Sequence, residues 1–376
     1  LLGIWQASLK KQSLQAKVLM LVFVLFYLFV AFSYFNSDNH AEALRILGLK
    51  IPLLLFPLVY FALQSLQKKH HLTSALIINY ALYVPAIVSV YNYLSNKELF
   101  DDLILQSKPL PIEFGYGILH IQFSILLACG ILYGLFILVR NYKTSQPSLL
   151  YYSLLFLVVC NFIFIHILSA RTGLVGLYAG VAVFCISLLA TLPFKKTRWL
   201  LLAILIVPTL MVLLSSSLQN RIKNTAADLN VVLENKDAND YSFAMRVKAW
   251  QNAVDVIAQN PIRGVGLGDA ELVLYNNFSK VDPTLAPENR KNPHFQFLET
   301  AVQSGLVAAF LYLVIVFLGF VKTNHQFNFE LMAFSALLFV ASCFESVLES
   351  QSNVIPFVFF IALGLTQQPK SKETAI

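Results

Sequence analysis

Charge is scarce in this sequence. Asp, Glu, Lys and Arg together make up 12% of the 376 residues, against roughly 25% in ordinary soluble proteins. A chain of this length would need a polar skin if it folded in water, and this composition cannot supply one. Cysteine is scarce too. Cys129, Cys160, Cys185 and Cys343 all fall inside apolar runs, with no CxxC spacing and no histidine at metal-ligand distance. That excludes a zinc knuckle and a disulfide framework, and leaves the four as small core hydrophobes. The net charge of +7 is scattered among loops and forms no aromatic-interleaved basic stripe, so no nucleic-acid partner is expected.

What the sequence has in abundance is hydrocarbon. Hydrophobic residues reach 57% and the mean hydropathy is +0.68. Apolar runs recur near 17–35, 46–66, 72–94, 115–139, 149–169, 172–193, 198–217, 296–321, 329–346 and 353–367. Most match the ~20 residues that cross ~30 Å of bilayer as a helix, and the last two are short. The expected fold is an all-α integral membrane protein with about ten spans. It divides into N-terminal membrane helices (1–217), a polar segment (218–295), and C-terminal membrane helices with a tail (296–376). The first run is long and has no small-residue cleavage site behind it, so it is expected to be a span rather than a signal peptide. Because the chain begins at Leu1, further N-terminal sequence, and with it one more span, is compatible with this reading.

Alternating the loops between two sides separates the basic residues. One side collects Lys10, Lys11, Lys17, Lys68, Lys69, Arg140, Lys143, Lys195, Lys196, Arg198, Lys322, Lys370 and Lys372, opposed only by Glu330 and Glu373. In the second loop of the other side, Glu98, Asp101, Asp102 and Glu113 outnumber Lys97 and Lys108. The positive-inside rule then expects both termini in the cytoplasm and the long 218–295 segment outside.

Within that segment, 243–258 reads as an amphipathic helix. Phe243, Val247, Trp250, Val254 and Ile257 share one stripe, with Lys248, Asn252, Asp255 and Gln259 opposite and Arg246 at the border. Asn260-Pro261 stops it. Gly264-Val265-Gly266-Leu267-Gly268 follows without a preceding strand or a Walker lysine. It reads as a sharp connection rather than a nucleotide cradle. Pro293 suits a helix start, which places His294 in the first turn of the next span.

Several polar residues then need a reason. Arg171, in Ser169-Ala170-Arg171-Thr172-Gly173, sits in a very tight turn between two spans. It suits either an interface anchor or a grip on phosphate. His294 has the pKa range of a base that works at neutral pH. Glu345 and Glu349, one helical turn apart, suit an arginine or a cation. Asp101-Asp102, in an outer loop, lacks a third metal ligand and reads as solvated charge. Asn161 and His166 lie within a span and suit interhelical hydrogen bonds. The topology puts Arg171, Arg246 and His294 on one side of the membrane, which suits chemistry on a lipid-linked phosphate.

These residues fall into motifs. The Ser169–Gly173 stretch is similar to a Ser-x-Arg-x-Gly helix start. Arg246 through Trp250 resembles an Arg-x-x-x-Trp helix, and Pro261 through Gly268 a Pro-x-x-Gly-x-Gly turn. His294 followed by Gly305 resembles a pattern of His-Asn, nine residues, then Gly-x-x-Gly, with Phe295 and Ala308 departing from it. Glu345-Ser346-Val347-Leu348-Glu349 is similar to a Glu-Ser-x-Leu-Glu segment. In order and spacing the chain resembles the superfamily of O-antigen ligases and O-antigen polymerases, which includes some protein O-oligosaccharyltransferases.

The resemblance implies a GT-C-like helical fold in the bacterial inner membrane, with a large periplasmic loop between spans 7 and 8. It implies a metal-independent, inverting glycan transfer from undecaprenyl diphosphate, with no cofactor. His294 would be the general base, Arg171 and Arg246 would bind the diphosphate with Arg263 as a supplement, and Glu345, Glu349 and Trp250 would support them. The acceptor would be the lipid A core, favoured, or a second lipid-linked repeat or a protein hydroxyl, in contact with membrane lipids. A polytopic lipid or polyanion transporter is the reading from another class. It fits less well, because no internal repeat is seen and the charges cluster at one face.

Overall fold

The structure is a computed structural model that describes residues 12–65, 70–105, 110–112, 118–144, 148–191, 216–234, 237–239, 241–323 and 326–367, with isolated positions between 192 and 215. Among the described residues it is helical, and the only β pairing is an isolated bridge between Thr323 and Gln326. Among the described residues, seven helical stretches are long and apolar enough to cross a membrane: Leu14–Asn36, His40–Gln64, His70–Ser95, His120–Tyr142, Leu149–Leu168, Arg171–Ala190 and Gln296–Phe320. Each coincides with an expected span to within a few residues. The expected span at 198–217 lies largely outside the described residues. Those expected near 329–346 and 353–367 form helices too short to count as spans by that measure, Phe329–Phe344 and Gln351–Thr366.

The helices are α1 (Leu14–Phe32), α2 (His40–Leu54), α3 (Phe56–Gln64), α4 (His70–Ser95), α5 (Lys97–Leu105), α6 (His120–Thr144), α7 (Leu149–Leu168) and α8 (Arg171–Thr191). They continue as α9 (Ser216–Leu233), α10 (Ser242–Gln259), α11 (Ala270–Val281), α12 (Gln296–Phe317), α13 (Phe329–Phe344) and α14 (Gln351–Thr366). α8 packs against α13 and α6, α4 against α7, and α12 against α1. At Gly180 on α8, a Cβ would lie 3.2 Å from the Ala333 carbonyl of α13, so the missing side chain lets the two backbones approach. Buried polar side chains tie the apolar helices together. Asn161 Nδ2 donates to the Asn79 carbonyl at 3.0 Å, and Asn79 Nδ2 donates to the Gly130 carbonyl at 3.0 Å. His166 bonds the Tyr178 hydroxyl across the α7–α8 pair. The four cysteines are unpaired.

The polar stretch from 218 to 295 carries α9, α10 and α11. α10 covers the expected range but turns a different face inward. Ala244, Ala249, Asn252, Ala253 and Val256 are buried, while Val254 is 55% exposed. The reason is local. Asn252 Nδ2 donates to the Leu274 carbonyl and Asn252 Oδ1 accepts from Asn277, so a polar residue is satisfied inside the seam. The alanines let α10 sit close to its neighbours. Asp101 and Asp102 belong to α5 rather than a loop, and Asp101 accepts from Tyr93 at 2.8 Å.

The glycine-rich turn after α10 has a definite task. α12 is broken at Gly305, whose φ of +83° no helix tolerates. The turn fills the break: Val265 N–H donates to the Val302 carbonyl, Gly266 N–H to the Gln303 carbonyl, and Leu306 N–H to the Pro261 carbonyl. Leu306 would otherwise have bonded Val302 within the helix. Backbone groups left open by the break are thus satisfied at a depth where an unmade bond costs about 1–3 kcal/mol. Only glycine permits the approach. A Cβ on Gly305 would fall 2.0 Å from the Ile262 carbonyl oxygen, and one on Gly264 (φ +69°) 2.6 Å from the Gln303 backbone.

Candidate functional site

Arg171 is placed by a turn of two residues. α7 ends on Ser169 in the left-handed region (φ 52°), Ala170 follows, and α8 begins at Arg171 itself. The expected tight turn is therefore present, and Arg171 stands at one end of the bundle, one-third exposed. Asp228 of α9 faces it, with Oδ2 3.9 Å from Arg171 Nη1. The same oxygen accepts from the Phe243 N–H at 2.9 Å, at the start of α10. One buried carboxylate thus holds the opening of α10 beside Arg171. Burial raises the Asp228 pKa, and the Phe243 N–H together with both arginines, Arg171 and Arg246, offsets part of that rise.

Arg246 lies one turn further along α10. Its Nη1 donates to the Phe344 carbonyl at 3.0 Å, closing the last turn of α13 with a cation. Burial lowers its pKa, opposed by Glu345, with Arg171 lowering it further. Glu345 is the C-cap of α13, and its Oε2 lies 3.8 Å from His294 Nδ1, too long for a hydrogen bond but close enough for electrostatic coupling. The sequence-identified residues Arg171, Arg246, Glu345 and His294 therefore form one continuous set, and Asp228 belongs to it.

His294 is not in the first turn of α12, as the sequence suggested; the helix starts two residues later, at Gln296. Pro293 is occupied otherwise: its carbonyl accepts from Trp250 Nε1 at 2.8 Å. His294 itself has φ 47°, one of two non-glycine residues in the left-handed region among the described residues. Such a backbone costs about 1–3 kcal/mol and persists where surrounding contacts impose it. Trp250 supplies much of that constraint, because its ring also packs against Phe243 and Phe295 (centroids 6.0 and 5.7 Å). Burial, then the charge of Arg246, then that of Lys291 bring the His294 pKa down to about 4. At neutral pH its imidazole is uncharged, beside the Arg246 guanidinium and the Lys291 ammonium.

Glu349 does not pair with Glu345. α13 ends at Phe344, so the two carboxylates leave an irregular turn in different directions rather than one helix face. Glu349 bonds the buried Lys50 of α2 (Oε1 to Nζ 2.7 Å) and accepts from Gln303 Nε2 at 3.1 Å. Arg263 stands exposed on the turn that docks into the α12 break, and no ion pair or hydrogen bond joins it to the other site residues among the described positions. Among those positions, no three His, Cys, Asp or Glu side chains converge as a metal site.

His294 also lines a cavity of about 820 Å³, bounded by α2, the glycine-rich turn, α11 and the start of α12, with Glu299, Gln303 and Glu349 in its wall. Sequence reading missed Lys50, Glu299 and Gln303. A signal was available, since ionisable and amide side chains inside apolar runs are costly and mark function or partnering.

A family model described as O-antigen ligase matches residues 156–313. That segment is similar to the O-antigen ligase family. It contains Arg171, Asp228, Arg246, Trp250, the glycine-rich turn and His294, and supports placing the chain in the O-antigen ligase and polymerase superfamily. No curated protein matches the chain. The match suggests an enzyme of glycosyltransferase or ligase type, and the apolar helices suit work in a membrane.

Proposed function

We propose that this protein transfers a glycan from undecaprenyl diphosphate to an acceptor hydroxyl at the periplasmic face of the bacterial inner membrane, with the lipid A core as the favoured acceptor. The observation that carries the reading is His294: a neutral imidazole in a strained backbone, beside Arg246 and lining an open cavity. In this scheme the acceptor oxygen attacks the anomeric carbon and gives its proton to the imidazole of His294. The anomeric carbon–oxygen bond to the diphosphate breaks, and undecaprenyl diphosphate leaves with the bonding electrons. Attack from the side opposite the leaving group inverts the anomeric configuration.

Arg171 and Arg246 hold the diphosphate and meet the charge that grows on it. Asp228 and Glu345 balance those cations before substrate arrives, and the diphosphate competes for them. Arg263, on its exposed turn, is at most a supplementary phosphate contact. The energy comes from the sugar–diphosphate bond of the donor, so the scheme calls for no nucleotide and no metal.

The test is a transfer assay with purified protein and undecaprenyl-diphosphate-linked glycan, offering lipid A core, a second lipid-linked repeat and an acceptor protein in parallel. Product on the lipid A core, lost in His294→Ala, is the expected result. Product on the repeat or the protein instead would make the enzyme a polymerase or an oligosaccharyltransferase. No product from folded protein with any acceptor would overturn the assignment.

A further inference from the structure

Glu299 sits on α12 in the cavity wall, 3% exposed. Its Oε1 accepts a long contact from Gln303 Nε2 at 3.4 Å, and its Oε2 has no hydrogen-bond partner. The nearby cation is already committed: Lys50, itself 1% exposed, donates to Gln303 Oε1 at 2.8 Å and to Glu349 Oε1 at 2.7 Å. A buried carboxylate oxygen without a donor is costly, and one in the wall of a cavity calls for an explanation such as a functional role. The cavity volume falls within the roughly 300–1,000 Å³ of small-molecule sites.

The missing donor belongs to a neutral group. Besides Glu299 and Glu349, the wall carries Glu42 and Glu271, balanced by Arg45, Arg290 and Lys291 and by Lys50 behind it. With the charges matched, a cation gains little, whereas a sugar presents several hydroxyl donors at once. His294 lines the same cavity, so a hydroxyl near the imidazole and a neighbouring hydroxyl at Glu299 can belong to one molecule.

We propose that Glu299, oriented by Gln303 and the Lys50–Glu349 pair, is an acceptor-binding residue that takes a second hydroxyl of the acceptor molecule whose hydroxyl His294 deprotonates. This rests on the transfer reading above.

The experiment measures transfer kinetics of wild-type protein and Glu299→Gln with whichever of the three acceptors is active. It also measures binding of the undecaprenyl-diphosphate-linked donor. An amide at this position turns part of an acceptor group into a donor. The expected result is an acceptor KM raised about tenfold or more with donor affinity unchanged, the loss falling on KM rather than kcat. If Glu299→Gln does not fold, acceptors lacking single hydroxyls are assayed on wild-type protein, and one of them should show the same KM-specific loss. Transfer with a wild-type acceptor KM in Glu299→Gln, or with no KM-specific loss from any single-hydroxyl deletion, sinks the acceptor role alone. Absence of transfer by wild-type protein to all three acceptors overturns the transfer reading and this assignment together.

Discussion

At the scale of single residues, the proposed transfer depends on the charge of a base and a grip on an anion. His294 is useful as a base only when neutral. Its pKa is lowered to about 4 by burial, Arg246 and Lys291, so the active form is present above that value and is lost as pH falls through it. Transfer by the free enzyme should therefore show an acid limb near pH 4, read as kcat/KM against pH. Removing one of the cations that depress it, in Lys291→Gln, should move the limb upward. A limb left in place by that change would mean that another group governs it. His294→Ala should lower the rate by the ~10²–10⁴-fold typical of a lost general base while the protein still inserts and folds. Arg171→Lys keeps the charge but loses the planar, two-pronged geometry. A loss of about tenfold or more in kcat/KM is expected, in keeping with the weight of a charge-assisted hydrogen bond. Full activity in the lysine variant would reduce Arg171 to an interface anchor.

At the scale of elements, the decisive object is a broken helix and the turn that mends it. α12 carries Glu299 and Gln303 on its first half and ends that half at Gly305, where the turn at 261–266 supplies the missing backbone partners. Gly305→Ala would force a Cβ into the Ile262 carbonyl at a φ of +83°. The strained backbone alone costs about 1–3 kcal/mol, and the clash adds to it. Thermal unfolding in detergent should show a clearly lower midpoint, and an unchanged midpoint would contradict the docked turn. α10 is the second such element. It carries Arg246 toward α13, and it carries Trp250 under the strand of chain that presents His294.

At the scale of the whole molecule, the proposed topology puts the basic loops and the site on opposite sides of the membrane. A single cysteine at the exposed Gln251, and another at Lys322, should separate cleanly in a labelling experiment on intact cells with the outer membrane removed. A membrane-impermeant maleimide is expected to reach position 251 and not 322. The reverse pattern would invert the topology and move the site to the cytoplasmic face. At the same scale, buried polar pairs such as Asn79–Asn161 lock helices that lipid would otherwise leave free to slide.

Membrane residence and the span positions were legible because a bilayer reads length and hydropathy, both linear properties of the chain. Arg171, Arg246 and His294 could be singled out by motif spacing, and the fold links them through Asp228 and Glu345. Other features depended on folding. The inward face of α10 was decided by Asn252 finding Leu274 and Asn277, which a periodicity of apolar residues cannot register. Glu345 and Glu349 parted because α13 ends at Phe344, and a helix end set by packing is not written in five residues of sequence. Asp228, Lys50 and Glu299 joined the site through contacts between elements distant along the chain. Local sequence determines which segments can be helices and which must sit in lipid. Only the tertiary structure decides which buried charges meet, because desolvation makes each of them seek a partner wherever the fold brings one within reach.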